Sequence, residues 1–179
     1  MLETELVPPV RRFLEARGYR VWPDPDGRNY FDIVARRGNE IGLVELKVAD
    51  GRKVFAQALR RRGYGDWVAV LVPTVRRARQ IRNDRATSLS RRVGVWGIAF
   101  GDVQEVRPAS PLWVGPEANP FPEQRSLLET LLDHLEAGEL PGSVEWSGGF
   151  GRVPGRRSTK DFRLEEFEPP SSPPDRGSP

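Results

Sequence analysis

The sequence predicts an α/β fold built on a mixed β-sheet. Helix-like and strand-like segments alternate in the order helix, strands, helix, strand, helix, strands. The run "DWVAVLVP", residues 66–73, is continuously apolar and ends at a proline, as suits a strand covered on both faces. The stretch "FDIVARRGNEIGLVELK", residues 31–47, places two strand-like runs on either side of Gly38-Asn39, a two-residue hairpin turn in which glycine supplies the first positive-φ position.

Residues 3–17 form an amphipathic helix, since Leu6, Val10, Phe13 and Leu14 recur at helical spacing and Gly18 is a natural stop. Pro8 and Pro9 are comfortable only in a first turn, so either the helix starts near Pro8 or an earlier turn joins it through a kink. "YRVW" is a short strand, and "PDPDGRN" a turn-rich loop. After the hairpin, "RKVFAQALRRRG" is a helix with Val54, Phe55, Ala58 and Leu59 inward. "TVRRARQIRNDRATSLSRRVG", residues 74–94, is helical and strongly basic, and "GVWGIAF" and "VQEVRP" close the sheet.

The texture changes after Pro108, so the predicted core spans residues 1–107 and an extension covers 108–167. That extension holds a proline-rich connector, an acidic helix near residues 122–137 and a glycine-rich stretch with no assignable structure. Residues 168–179, ending "PPSSPPDRGSP", have the composition of a disordered tail. The acidic helix carries an apolar stripe of Leu127, Leu128, Leu131, Leu132 and Leu135, which either packs on the core or forms a contact surface.

Composition narrows the chemistry. At 179 residues the chain can bury one proper core, and 37% hydrophobic with 30% charged residues suits a soluble globular protein. No apolar run approaches the roughly 18 residues needed to span a bilayer. The N-terminus lacks a basic-then-apolar signal pattern, so a cytoplasmic location is expected. Cysteine is absent, which excludes disulfides, thiolate catalysis and cysteine–zinc sites. The single histidine, His134, sits in the acidic helix, so a histidine-rich metal site is excluded. Catalysis, if present, falls to carboxylates and lysine.

The net charge of +3 hides an uneven distribution. Between Arg52 and Arg92 twelve basic residues face two aspartates, whereas between Glu117 and Glu139 six acids face Arg125 alone. A concentrated basic block is an electrostatic footprint for a polyanion such as nucleic acid.

The hairpin register predicts the site. A Gly38-Asn39 turn pairs residue 37 with 40 and, counting outward, Asp32 with Glu45. Directly paired residues share a face with Cβ atoms about 4.5–5.5 Å apart. Glu45 and Lys47 also share a face, being two residues apart on one strand. Two carboxylates so placed repel, and a divalent cation relieves the repulsion better than Lys47 alone. Hard oxygen ligands favour Mg2+ or Mn2+. Lys47 could then orient or deprotonate a water, or stabilise charge developing on a phosphate. The competing reading of these residues is a charged ladder on a solvated sheet face.

Glu3 lies on the apolar side of the first helix and can point toward the sheet, with Glu5 the neighbouring alternative on the polar side. Gln57 follows the acid-lysine strand on the next helix. Arg60, Arg61, Arg76, Arg77 and Arg79 are available as phosphate contacts.

Asp32, twelve intervening residues and then Glu45-Leu46-Lys47 resemble the PD-(D/E)XK nuclease superfamily, and the helix acid and later glutamine resemble its additional motifs, as in archaeal Holliday-junction resolvases. "ETELVPPVRRFLEARGYRV", "VELK", "FAQALRR" and "WVAVLVP" more closely resemble an uncharacterised bacterial family of PD-(D/E)XK phosphodiesterases, collinearly over residues 3–107. The resemblance implies a restriction-endonuclease-like core and Mg2+- or Mn2+-dependent hydrolysis of phosphodiester bonds in DNA. It implies metal ligation by Asp32, Glu45 and the Leu46 carbonyl, with Lys47 as the catalytic lysine. Glu3 would be the helix acid, and Gln57 would assist at metal or phosphate. By analogy with nuclease cores of this size, two copies would pair, because one site cuts one strand. Phe31 stands where the superfamily often has proline. A non-catalytic nucleic-acid-binding protein on the same fold is the alternative expectation.

Overall fold

Pro8 and Pro9 decide how the chain enters its first helix. Neither can donate a main-chain hydrogen bond, and the first four N–H groups of a helix have no intrahelical acceptor, so both fit in the first turn. Residues Glu3–Leu6 accordingly form a 3-10 turn that leads into α1, Val7–Glu15. Leu6, Val10 and Leu14, four residues apart, are buried along one stripe. Gly18, at φ +80°, ends the helix, and the Tyr19 N–H reaches back to the Leu14 carbonyl at 3.2 Å.

The computed structural model describes residues 2–26, 30–48, 51–82, 90–113 and 119–139. Six strands follow one another across one sheet in chain order: β1 (Arg20–Pro23), β2 (Ile33–Arg37), β3 (Glu40–Leu46), β4 (Trp67–Val72), β5 (Gly94–Ala99) and β6 (Asp102–Arg107). The β1–β2, β2–β3 and β5–β6 pairs are antiparallel, while β3–β4 and β4–β5 are parallel. Parallel neighbours need a crossover, supplied by α2 (Gly51–Arg60) and α3 (Val75–Arg82). The fold is therefore α/β, a mixed sheet flanked by helices. Every residue of β4 is buried, as its unbroken apolar run predicts.

The two faces of β3 carry different burdens. Val44 and Leu46 join Ile33, Ala35, Ala69 and Leu71 in an apolar cluster with Leu6 of the 3-10 turn and Val10 and Leu14 of α1. Trp67 and Trp96 extend it, their rings 5.9 Å apart, with Tyr19 edge-on to Trp67 at 5.7 Å. The indole of Trp67 lies where a side chain at Gly42 would be: a Cβ there would stand 1.9 Å from the ring. Gly42→Ala should thus cost about 1–3 kcal/mol through overpacking. Urea denaturation checks this, and an unchanged midpoint would show that the indole yields freely.

The helix predicted over residues 74–94 is shorter in the structure. After α3, residues 83–89 lie outside the described residues, Ser90–Arg92 form a 3-10 turn, and β5 begins at Gly94 opposite Ala69. The cause is geometric. Returning along a six-residue strand requires about 20 Å, whereas 21 helical residues would run about 30 Å and overshoot the start of β5.

Residues Met1–Glu145 form one compact unit and Trp146–Pro179 a second. The second unit, with the glycine-rich stretch beyond 145 and the 168–179 tail, lies outside the described residues, as do 27–29 of the turn-rich loop. The acidic helix, α4 (Pro122–Glu136), falls within the first unit, although the sequence places it in an extension beyond residue 107. Leu128, Leu131 and Leu132 are buried, so most of the leucine stripe is core rather than contact surface. Its acids meet arginines of the first two strands: Asp133 pairs with Arg36 at 2.6 Å and Glu136 with Arg20 at 3.5 Å. No helix among the described residues is long and apolar enough to cross a membrane.

Candidate active site

Gly38 takes φ +57° at the β2–β3 turn, while Asn39 is not among the positive-φ residues, the sign pattern of a two-residue hairpin with glycine first. The ladder runs from Arg37↔Glu40 to Ile33↔Val44, so the next step outward sets Asp32 across from Glu45. At that step a side chain replaces the main-chain rung. Asp32 Oδ2 accepts the Leu46 N–H at 2.7 Å, which fixes the carboxylate against the end of β3. The carbonyl of Leu46 points the same way as its N–H, toward Asp32, because both groups of one strand residue face the same neighbour. Phe31 turns its own N–H toward Asp26 Oδ1 (3.5 Å), and its ring is buried edge-on to Tyr30 and Tyr64. Phe31 thus anchors the segment by packing.

Glu45 is 4% exposed, one of two buried charged or polar side chains among the described residues, the other being Asp26. Its Oε2 accepts a hydrogen bond from Arg61 Nη1 and forms an ion pair with it. Lys47 continues β3 toward β4, its N–H bonded to the Leu71 carbonyl at 3.0 Å. Its ammonium lies 3.2 Å from Glu3 Oε1. Glu5 instead turns back to accept the Leu2 N–H at 2.6 Å. Of the two helix acids weighed from sequence, Glu3 is the one placed at the lysine, and Glu5 closes the N-terminal turn.

Arg61 is where the structure departs from the sequence reading. It is not a surface phosphate contact alongside its neighbours: only 14% of its side chain is exposed, and it belongs to the acid cluster. The reason is helical spacing. Position 61, one residue past the end of α2, follows buried Val54 and Ala58 by seven and three residues and so continues the stripe of that helix that faces the sheet. That spacing was a readable signal, masked by the run of three arginines. The guanidinium also sits 5.1 Å from the ring centre of Tyr30 and 5.9 Å from that of Phe31. Arg60, Arg76 and Arg79 are exposed, and Arg77 is half-buried.

The cluster is electrostatically tense. Burial and the facing Asp32 carboxylate push Glu45 up to about 7, with Arg61 and Lys47 acting the other way. Burial likewise raises Asp32 above the ordinary carboxylate range, and Glu3 adds to it, while the Leu46 N–H, Arg61 and Lys47 oppose. Phe31, Leu43, Ala58 and Val68 line the narrow apolar cleft against these groups, which keeps the local dielectric low.

No three acidic or histidine side chains converge on a common point among the described residues. The donors for a hard cation are the two carboxylates and the Leu46 carbonyl, which by strand geometry points toward Asp32. Gln57 Oε1, on α2 four residues before Arg61, is buried without a hydrogen-bond partner. This all-oxygen set fits Mg2+ or Mn2+, which usually keep several waters and need few protein ligands.

No protein-family model matches the chain, and no curated protein matches it. A solved structure with a similar fold is that of a protein of unknown function from Silicibacter pomeroyi. It is 19% identical, with 77% of this chain and 88% of that one covered, at a TM-score of 0.51. The likeness bears on the fold alone.

Proposed function

We propose that this chain is a cytoplasmic, PD-(D/E)XK-type nuclease that hydrolyses phosphodiester bonds in DNA with a divalent cation. The observation that carries this reading is the juxtaposition at the end of β3: Asp32 across from Glu45, and Lys47 two residues on, held by Glu3. Asp32 and Glu45, with the Leu46 carbonyl, would hold the cation, which supplies charge neutralisation at the phosphate. Lys47, partly exposed beside the acid pair, would orient the attacking water or meet charge on the phosphate oxygens. Gln57 has a free acceptor for that water or cation. Exposed Arg60, Arg76 and Arg79 supply flanking backbone contacts, and pairing of two copies would cut both strands.

The expected result is nicking of supercoiled plasmid in Mg2+ or Mn2+ and none in EDTA, with Glu45→Gln inactive. Intact plasmid, together with uncut single-stranded, branched and RNA substrates, would end the reading.

The Arg61–Glu45 ion pair favours a second reading, in which the buried acid is already neutralised and the fold only binds nucleic acid. That reading expects salt-sensitive binding that survives both EDTA and Glu45→Gln.

A further inference from the structure

Two carboxylates, Asp32 and Glu45, face each other at the end of β3, with a third, Glu3, reached through Lys47, and the pairing of these acids with Lys47 and Arg61 is uneven. Lys47 is engaged by Glu3 at 3.2 Å, and Arg61 is the cation in direct contact with Glu45 of the buried Asp32–Glu45 pair. The Glu45 side chain is 5% exposed and that of Arg61 14%, so water screens neither. An acid this deep, facing a second acid, is costly to keep charged without a partner. Yet Glu45 Oε2, the oxygen that Arg61 occupies, belongs to one of the two carboxylates available to a divalent cation. Guanidinium and metal ion therefore compete for one ligand.

We propose that Arg61 is a built-in counter-cation that holds the Asp32–Glu45 pair while no divalent ion is bound and yields Glu45 when one enters. The inference rests on the cation-binding part of the function proposed above. Arg61 lies in the turn just past the end of α2, not on the hairpin, so its side chain can swing away without disturbing the ladder that positions the acids. The Tyr30 and Phe31 rings already lie 5.1 and 5.9 Å from the Glu45-bound guanidinium, so a cation–π contact is within reach when it releases the acid. From there the displaced guanidinium remains at the acid pair, with five donors suited to a phosphodiester. A residue read from sequence as one phosphate contact among five thereby gains a distinct place, inside the site and exchanged with the metal.

Arg61→Met keeps the length of the side chain and removes its charge. Counting free Mn2+ by electron paramagnetic resonance, the variant should bind Mn2+ about tenfold more tightly, the equivalent of about 1.4 kcal/mol. Its melting temperature without metal should fall by several degrees, and saturating Mn2+ should recover most of the loss. A purely structural Arg61 would lower stability and leave Mn2+ affinity unchanged or weaker, which overturns the proposal. A second measurement needs no variant: the Arg61 Nε–H resonance of the wild-type chain should shift during a Mg2+ titration at the midpoint of binding. A resonance that stays in place, or a chain that binds neither ion, also overturns it. If Arg61→Met binds Mn2+ more tightly but wild-type protein cuts no plasmid, this role stands and hydrolysis falls. If plasmid is nicked but Arg61→Met gains no affinity, hydrolysis stands and this role falls.

Discussion

Lys47→Ala is expected to lower metal-dependent plasmid nicking by about 100- to 10,000-fold, the range typical for loss of a positioned acid–base or charge-stabilising group. Little of that loss should come from unfolding. The Lys47 side chain is 27% exposed and contributes to the sheet through its main-chain N–H, which alanine retains. Its partner Glu3 is 44% exposed, so the ion pair itself is worth little to stability. A circular dichroism spectrum and melting temperature close to wild type, together with lost nicking, would place Lys47 in the chemistry. Nicking at the wild-type rate would remove it. Lys47→Arg is the informative companion: it keeps the charge and changes its shape and acidity, so it should rescue binding more than turnover.

Raising the pH from about 5 to about 8 should destabilise the metal-free protein, the opposite of the usual behaviour of paired carboxylates. Glu45 holds its proton up to about 7 in the folded chain, against 4.5 for an ordinary glutamate. Between those values the folded state binds more protons than the unfolded state, so stability declines as pH rises. A shift of this size corresponds to about 3 kcal/mol. For a chain of this length that is roughly 5–10 °C in melting temperature. Asp32 and Asp26, both raised chiefly by burial, act in the same direction. A divalent cation competes with the proton for the same oxygens, so the stabilisation by Mg2+ should grow over this interval. Glu45→Gln should flatten the pH dependence and the Mg2+ response together. Melting curves at several pH values, with and without Mg2+, provide the check. Stability that rises with pH would mean that the attraction of Arg61 outweighs burial and the repulsion from Asp32.

The hairpin was the most legible part of the molecule. Its register depends on local chemistry, a glycine able to take positive φ followed by asparagine, and that register alone sets Asp32 across from Glu45. The unbroken apolar run of β4 and the four-residue stripe of α1 were legible for the same reason, since periodicity and burial are written directly in residue order. The length of α3 was not, because a basic run can continue as helix until the position of the next strand forbids it. Nor was the place of α4. Its leucines announce a buried face, but which surface covers it depends on Arg36 and Arg20, about a hundred residues or more earlier.

At the site the division is sharper. Asp32, Glu45 and Lys47 could be placed together from sequence because strand alternation and a two-residue turn relate them over short distances. Glu3 and Glu5 could not be separated that way. Two residues apart on a 3-10 turn, they differ in which one meets Lys47, a contact made more than forty residues along the chain. Arg61 was hidden for the same reason. In a run of three arginines, residue type says only that charge is present, and the packing of α2 on the sheet selects the one that turns inward to Glu45. Local stereochemistry thus supplied the opposed acids. Long-range packing chose the cations that neutralise them, because an ion pair between distant segments leaves no period in the sequence.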